Sequence, residues 1–143
     1  MSNVIPEEFL DLFKKRAFAH FATIMPDGSP QITPVWVDYD GEYVLINSKA
    51  GRTKNTNVVE RPMVALEISD PDNPYRYLMI RGQVVSVETV TDTSHIDSLA
   101  QRYVGVDKYP WGEPNEVRQI FKIRPDKVVA RVVVADPNNL LGH

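Results

Sequence analysis

Two Asp-Gly pairs, Asp27-Gly28 and Asp40-Gly41, cut the segment "FAHFATIMPDGSPQITPVWVDYDGEYVLINS" into three short alternating runs. An Asp-Gly pair between such runs is a strong hairpin signal, because glycine readily supplies the positive φ that a tight, strand-compatible turn needs. Residues 18–25, 31–40 and 42–48 are therefore expected as three strands of a meander. Pro34 has no amide to donate, so it marks an edge, a bulge, or a segment whose backbone faces something other than a neighbouring strand.

The rest of the chain extends this pattern. "MVALEIS" (63–69) and "YRYLMIRGQVVSVE" (75–88) read as strands around the polar loop "DPDNP", with Gly82 marking a bulge or tight bend. "VRQIFKIRP" (117–125) and "KVVARVVV" (127–134) read as two closing strands. Helices are expected at "IPEEFLDLFKKRA" (5–17), at "RTKNTNVVER" before Pro62, and at "SHIDSLAQRYV" (94–104). In the first, Phe9, Leu10, Leu12 and Phe13 form an apolar face, with Lys14, Lys15 and Arg16 at the C-terminal end. In the last, Ile96, Leu99 and Tyr103 share a face, and Thr91, Asp92 or Thr93 supplies the cap. Six or seven strands joined by tight turns give a largely antiparallel sheet, and closing it into a small barrel removes its exposed edges. The expected fold is mainly β (α+β): one domain over residues 1–143, an antiparallel barrel with peripheral helices.

Composition narrows the chemistry. The formal charge of −3 provides no global basic field for nucleic acid or an anionic membrane. The absence of cysteine removes disulfides, thiolate nucleophiles and thiolate metal sites. His20, His95 and His143 are far apart and outside any HExxH spacing, so no metal site is expected. Acidic residues occupy the N-terminus where a signal peptide needs an apolar run, and no apolar stretch reaches a membrane span. A cytoplasmic protein is expected. No serine lies in a GxSxG context, and the carboxylate pairs Glu7/Glu8 and Asp70/Asp72 fall on a helix start and in a loop. Neither GxGxxG nor a P-loop is present.

Two features remain. Arg52 and Lys54 follow a strand and a glycine and open a helix, where unpaired amides and the positive dipole end already favour an anion. An arginine fork and a lysine ammonium would make that a phosphate site, with Ser48, Thr53 and Asn57 adding neutral hydrogen bonds. A solvated helix start is the alternative, although cations are disfavoured at that end. The second feature is aromatic. Trp36, Tyr75, Tyr77, Tyr109 and Trp111 suit either a core or, for Tyr75 and Trp111 in polar surroundings, the lip of a pocket for a flat ligand. Arg76, Arg81 and Arg118 alternate with apolar residues, facing outward or into an interface.

The patterns "ATxxPDGxPxxxPVW", "GRxKxxNxxxxP", "NPYRYxxxRGxV" and "RYxGxDxYPWxxPxEVR" occur here in order, covering about residues 17–124. Together they resemble the split β-barrel proteins of the pyridoxamine 5′-phosphate oxidase-like superfamily, in particular its coenzyme F420-dependent oxidoreductase branch. The resemblance implies an FMN-binding split barrel type of fold and a homodimer with cofactor grooves between subunits. It implies that Arg52 and Lys54, with Asn57 nearby, grip the cofactor phosphate. The flat ring would lie along Thr33, Pro34, Val35 and Trp36. Tyr75 and Tyr77 would approach from the partner chain, and Trp111 to Arg118 would shape the substrate end.

The function so implied is hydride transfer between F420 and a small unsaturated or quinone-like molecule, with the chemistry carried by the cofactor. No catalytic residue is assigned; Tyr77 is a candidate proton donor. FMN in the same groove is the alternative cofactor; the acidic tail of F420 would favour further cations such as Lys49 or Arg81. A binding protein without turnover, or a heme protein using His20 or His95, are the alternatives of other classes.

Overall fold

The computed structural model describes residues 4–133. Val134, the last residue of the expected 127–134 strand, and His143 lie outside the described residues. After a 3₁₀ helix, Glu7–Phe13, come β1 (Ala19–Ile24), β2 (Pro30–Val35), β3 (Asp38–Tyr39), β4 (Val44–Lys49) and α1 (Thr53–Glu60). Then follow β5 (Met63–Asp70), β6 (Asn73–Val90), α2 (Ser94–Val104) and β7 (Arg118–Val132). All strand pairs are antiparallel, in the order β2-β1-β5-β6-β7-β4-β3.

β2 and β3 occupy opposite edges of this sheet, yet only Trp36 and Val37 separate them in sequence. Two residues cannot span an open seven-stranded sheet, so the sheet must roll until its edges meet. The expected 31–40 strand is thus two strands with different partners. Backbone bonding accounts for the break. The Val37 amide donates to Tyr103 Oη (3.1 Å), and Arg102 Nη1 donates to the Val37 carbonyl (2.6 Å), so α2 side chains replace a ladder partner. Tyr103 Oη also donates to the Ala17 carbonyl at 2.7 Å, tying the entry to β1 to the same point. Pro34 sits on edge strand β2, where its missing amide costs no ladder bond.

Alternation places the core inside the roll. Phe21, Ile46, Leu66, Ile68, Leu78, Ile80, Phe121 and Ile123 are fully buried, and Phe21 and Phe121 meet with ring centroids 6.2 Å apart. Leu12, Phe9 and Phe13 of the 3₁₀ helix close one side. The expected 5–17 helix contracts to Glu7–Phe13, and its basic residues serve tertiary partners: Lys15 pairs with Asp70 and Asp72, and Arg16 donates to the Arg102 carbonyl. The two expected closing strands are one, β7. Asp126 forms a bulge opposite the Arg81/Gly82 step, and Pro125 pairs with Gly82. A Cβ on Gly82 would lie 2.1 Å from the Arg124 carbonyl oxygen, so glycine is required by that close approach. In α2, Ile96, Leu99 and Tyr103 are buried as one face. Thr93 is the N-cap residue but makes no side-chain cap; its hydroxyl donates to Asp97 instead.

One polar cluster pins the 3₁₀ helix to the barrel. Arg76 donates to both Asp11 and Asp70, and Lys15 reaches Asp70 from the other side. The Arg76 hydrogen bond holds the Asp11 carboxyl below its usual range. Burial pushes Asp70 up, but the Asp72 amide, Lys15 and Arg76 together bring it below that range as well. Both groups therefore contribute stability that is present above the ordinary aspartate value of 3.8 and lost as pH falls through their lower folded values. Urea midpoints measured from pH 7 to pH 2 should fall steeply at the acid end. Asp70→Asn should be less stable at pH 7 and converge on wild type in acid. Tyr103→Phe should lower stability by about 1–3 kcal/mol in urea titrations, because the buried Val37 amide and Ala17 carbonyl lose their partner.

Candidate functional site

A cleft of about 260 Å³ opens where the β2–β3 crossing, the β4–α1 connection and the 105–117 loop meet. It is lined by Pro34, Val35 and Trp36, by Ser48, Lys49, Arg52 and Lys54, and by Trp111 and Arg118, all residues singled out in the sequence. Phe18, Asn47, Ile96 and Tyr109 complete it. Tyr109 stood out in sequence only as a loop aromatic. Phe18, Asn47 and Ile96 carried no signal, since each reads as an ordinary strand or helix position.

The cationic end is built by α1. Ser48 Oγ donates to Asn55 Oδ1 (2.8 Å), and Asn55 Nδ2 donates to Gln119 Oε1 (2.8 Å). These bonds fasten the start of α1 to β4 and β7, a positioning role for Asn55 that sequence reading missed. The N-cap residue is Arg52, without a side-chain cap, and the first turn holds no acidic residue. The Asn55 and Thr56 amides both reach the Arg52 carbonyl, while those of Thr53 and Lys54 have no partner among the described residues.

Lys54 is only 7% exposed and lines the cleft, yet makes no hydrogen bond or ion pair among the described residues. Burial, and secondarily the neighbouring Arg52, pushes its ammonium below the usual lysine range. Arg52 is exposed and likewise unpaired among the described residues. The other cations of the cleft are neutralised: Lys49 pairs with Glu113 (3.1 Å) and Arg118 with Glu116 (2.9 Å). A partly desolvated, unpaired ammonium is unfavourable, and here it faces the cleft beside a second bare cation and free helix amides. That donor set fits a phosphate.

The other end is aromatic. Trp36 stacks on Tyr103 with centroids 5.1 Å apart and planes 3° from parallel. Tyr109 meets its edge at 5.9 Å, and Trp111 lies 6.2 Å away, 59% exposed. The core packing of Tyr103 thus fixes Trp36, while Trp111 remains open to a ligand.

Other residues marked in the sequence lie elsewhere. Thr33 does not line the cleft; its hydroxyl oxygen is buried without a partner. Thr53 is exposed at the helix start, outside the lining. Asn57 turns into the barrel end, where its amide bonds Thr23, Met25 and Arg61. Tyr75 and Tyr77 lie on β6 and do not line the cleft of their own chain. Arg81 is exposed on the same strand. Neither described histidine lines the cleft: His20 pairs with Glu67, and both ring nitrogens of His95 are engaged, by Asn47 and Asp38. No group of three or more metal-ligating side chains occurs among the described residues, nor any helix there long and apolar enough to cross a membrane.

Comparison with known proteins places this geometry in context. The family model described as pyridoxamine 5′-phosphate oxidase matches residues 5–131. A solved F420 reductase is 35% identical, aligning 87% of this chain with 98% of that one at a TM-score of 0.76. Rv2991 from Mycobacterium tuberculosis, 22% identical, aligns 94% of this chain with 95% of its own at 0.65. HupZ of Group A Streptococcus, 17% identical, aligns 89% with 94% at 0.60. These last two share the fold. A search of curated proteins finds no match. With its rolled antiparallel sheet and the family match over nearly its whole length, the chain belongs to the pyridoxamine 5′-phosphate oxidase family of split β-barrels.

Proposed function

We propose that the cleft binds the deazaflavin F420 and that the protein is an F420-dependent oxidoreductase acting on a small unsaturated or quinone-like substrate. The observation that carries this reading is Lys54, a largely buried lysine whose ammonium opens on the cleft without a counter-ion, set beside Arg52 and the bare amides of α1. The likeness to an F420 reductase supports it. Arg52, Lys54 and the Thr53 and Lys54 amides would hold the phosphate, with the ring along Pro34, Val35 and Trp36. When bound, the cofactor supplies a hydride and needs no protein nucleophile. The chain's part is to orient the ring on a wall lacking the Pro34 amide, to exclude water with Trp111, and to offer Arg118 at the substrate end.

The active form in this reading is a homodimer. Cavities for molecules of this size usually measure about 300–1,000 Å³, so the cleft of one chain is short of a full site. The outer face of β2, β1 and β5 carries Ile32, Ala22 and Ala65 in register, flanked by Ile24 and Met63. That small-centred apolar face suits packing against a second copy, and would let Tyr75 and Tyr77 of one chain serve the other. Sedimentation should give twice the chain mass for wild type and a monomer for Ala65→Glu. A wild-type monomer would remove the shared-site reading.

Titration with F420 and with FMN, followed by ligand fluorescence, tests the cofactor. Charge-assisted hydrogen bonds contribute about 1.5–3 kcal/mol, so Arg52→Ala or Lys54→Met should weaken F420 binding about ten- to a hundredfold. Lys54→Met should meanwhile leave the melting temperature of the ligand-free protein unchanged or higher, since the Lys54 ammonium is partly desolvated and forms no ion pair among the described residues. Preference for FMN would make this an FMN enzyme of the same fold. Tight F420 binding without reduction of any quinone would make it a binding protein. Failure to bind either would overturn the cofactor reading.

A further inference from the structure

A hydrogen-bonded chain leads from the cleft to α2 and uses residues the proposed function leaves unexplained. Arg118 Nε donates to Asn47 Oδ1 at 2.6 Å. Asn47 Nδ2 lies 3.1 Å from His95 Nδ1, and His95 Nε2 lies 3.0 Å from Asp38 Oδ2. Asp38 Oδ1 accepts from Arg102 Nη2 (2.9 Å) and from the Tyr39 amide (2.9 Å). Burial pushes the Asp38 carboxyl up, but these bonds from His95, Tyr39 and Arg102 hold it below its usual range, as an acceptor.

The direction of every link follows from chemistry. An arginine Nε can only donate, so the Asn47 oxygen must face it. The amide NH₂ then faces His95, and because NH₂ can only donate, Nδ1 must be the bare, accepting nitrogen. The proton is left on Nε2, where Asp38 accepts it. Asn47 and Arg118 line the cleft, whereas His95 does not. Arg118 is held on two further sides, by Glu116 at Nη1 (2.9 Å) and by the Tyr109 ring, 5.0 Å from its carbon. Its Nη2 makes no bond among the described residues.

We propose that His95 is a positioning residue for the cleft: by accepting from the Asn47 amide it fixes which end of that amide faces Arg118, and so aims the free Nη2 at an oxygen of the ligand. An amide flipped by half a turn would set NH₂ against the Arg118 Nε–H, two donors face to face. Arg118 opposes that flip from one side; from the other, the Asp38 carboxylate can only accept, keeps the proton on His95 Nε2, and so leaves Nδ1 able only to accept from the Asn47 NH₂. On the functional reading above, the oxygen received is a carbonyl of the electron acceptor, at the aromatic end and away from the phosphate donors.

The test exploits the symmetry of a carboxylate, which has no wrong way round. The ¹⁵N resonances of His95 and the Arg118 Nε–H are followed by nuclear magnetic resonance in ligand-free protein, a result independent of what the cleft binds. His95 should show a protonated Nε2 and an unprotonated Nδ1. In His95→Leu, exchange of the Arg118 Nε–H with water should become about five- to tenfold faster, the loss of one hydrogen bond. Adding Asn47→Asp to His95→Leu should restore slow exchange, which a merely structural role of His95 would not produce. His95→Gln, which can both accept and donate, should lie close to wild type. Unchanged Arg118 exchange in His95→Leu, or no rescue by Asn47→Asp, overturns the proposal. With reduced F420 as the hydride donor, KM for menadione should rise about tenfold in His95→Leu and recover in the double variant. An unchanged KM beside a lost Arg118 signal would remove the acceptor's carbonyl from Arg118.

Discussion

The fold turns on two backbone groups. Between β2 and β3 the Val37 amide and carbonyl are taken by Tyr103 and Arg102, side chains from a helix more than sixty residues later. Leaving either group unpaired in the interior would cost about as much as a lost hydrogen bond, so docking of α2 stabilises the crossing. Once it forms, the two edges of the sheet are joined and the barrel is closed. The same docking presses Tyr103 against Trp36 and fixes one wall of the cleft. Barrel closure and the cleft wall thus depend on the same contacts.

The two ends of the cleft are prepared by opposite means. At the aromatic end, charges are spent within the protein: Arg118 on Glu116 and Asn47, and Lys49 on Glu113. Those side chains already have partners before any ligand arrives, which lowers the ordering cost of binding. At the cationic end Arg52 and Lys54 are left without counter-ions, beside a helix start with no acid in its first turn. Within the protein nothing offsets the partial desolvation of the Lys54 ammonium or its repulsion from Arg52. The ligand's phosphate completes that end in the proposed function, and the free protein carries the cost.

Much of the architecture was legible locally. Asp27-Gly28 and Asp40-Gly41 turn where the sequence says, Gly82 marks a bulge, and Ile96, Leu99 and Tyr103 form the buried face of α2. Strand positions followed from period-two alternation, because the side chains of a half-buried strand record which face is wet. Arg52 and Lys54 were legible as an unbalanced pair of cations at a helix start, because that placement contradicts the dipole, and the structure shows them lining the cleft without counter-ions among the described residues.

What the sequence by itself determined is therefore most of the elements, the two Asp-Gly turns and the charge at the mouth of α1. Tertiary structure alone decided who pairs with whom. Backbone amides are identical along the chain, so nothing local could show that residues 31–40 would divide between two sheet edges. Likewise, Pro125 reads as a stop, yet opposite Gly82 it merely bends β7. Asn47, Asn55 and Asn57 look alike in sequence. One faces the cleft, one fastens α1 and one fills the barrel end, because a side-chain amide takes its role from the donors and acceptors that distant segments bring to it.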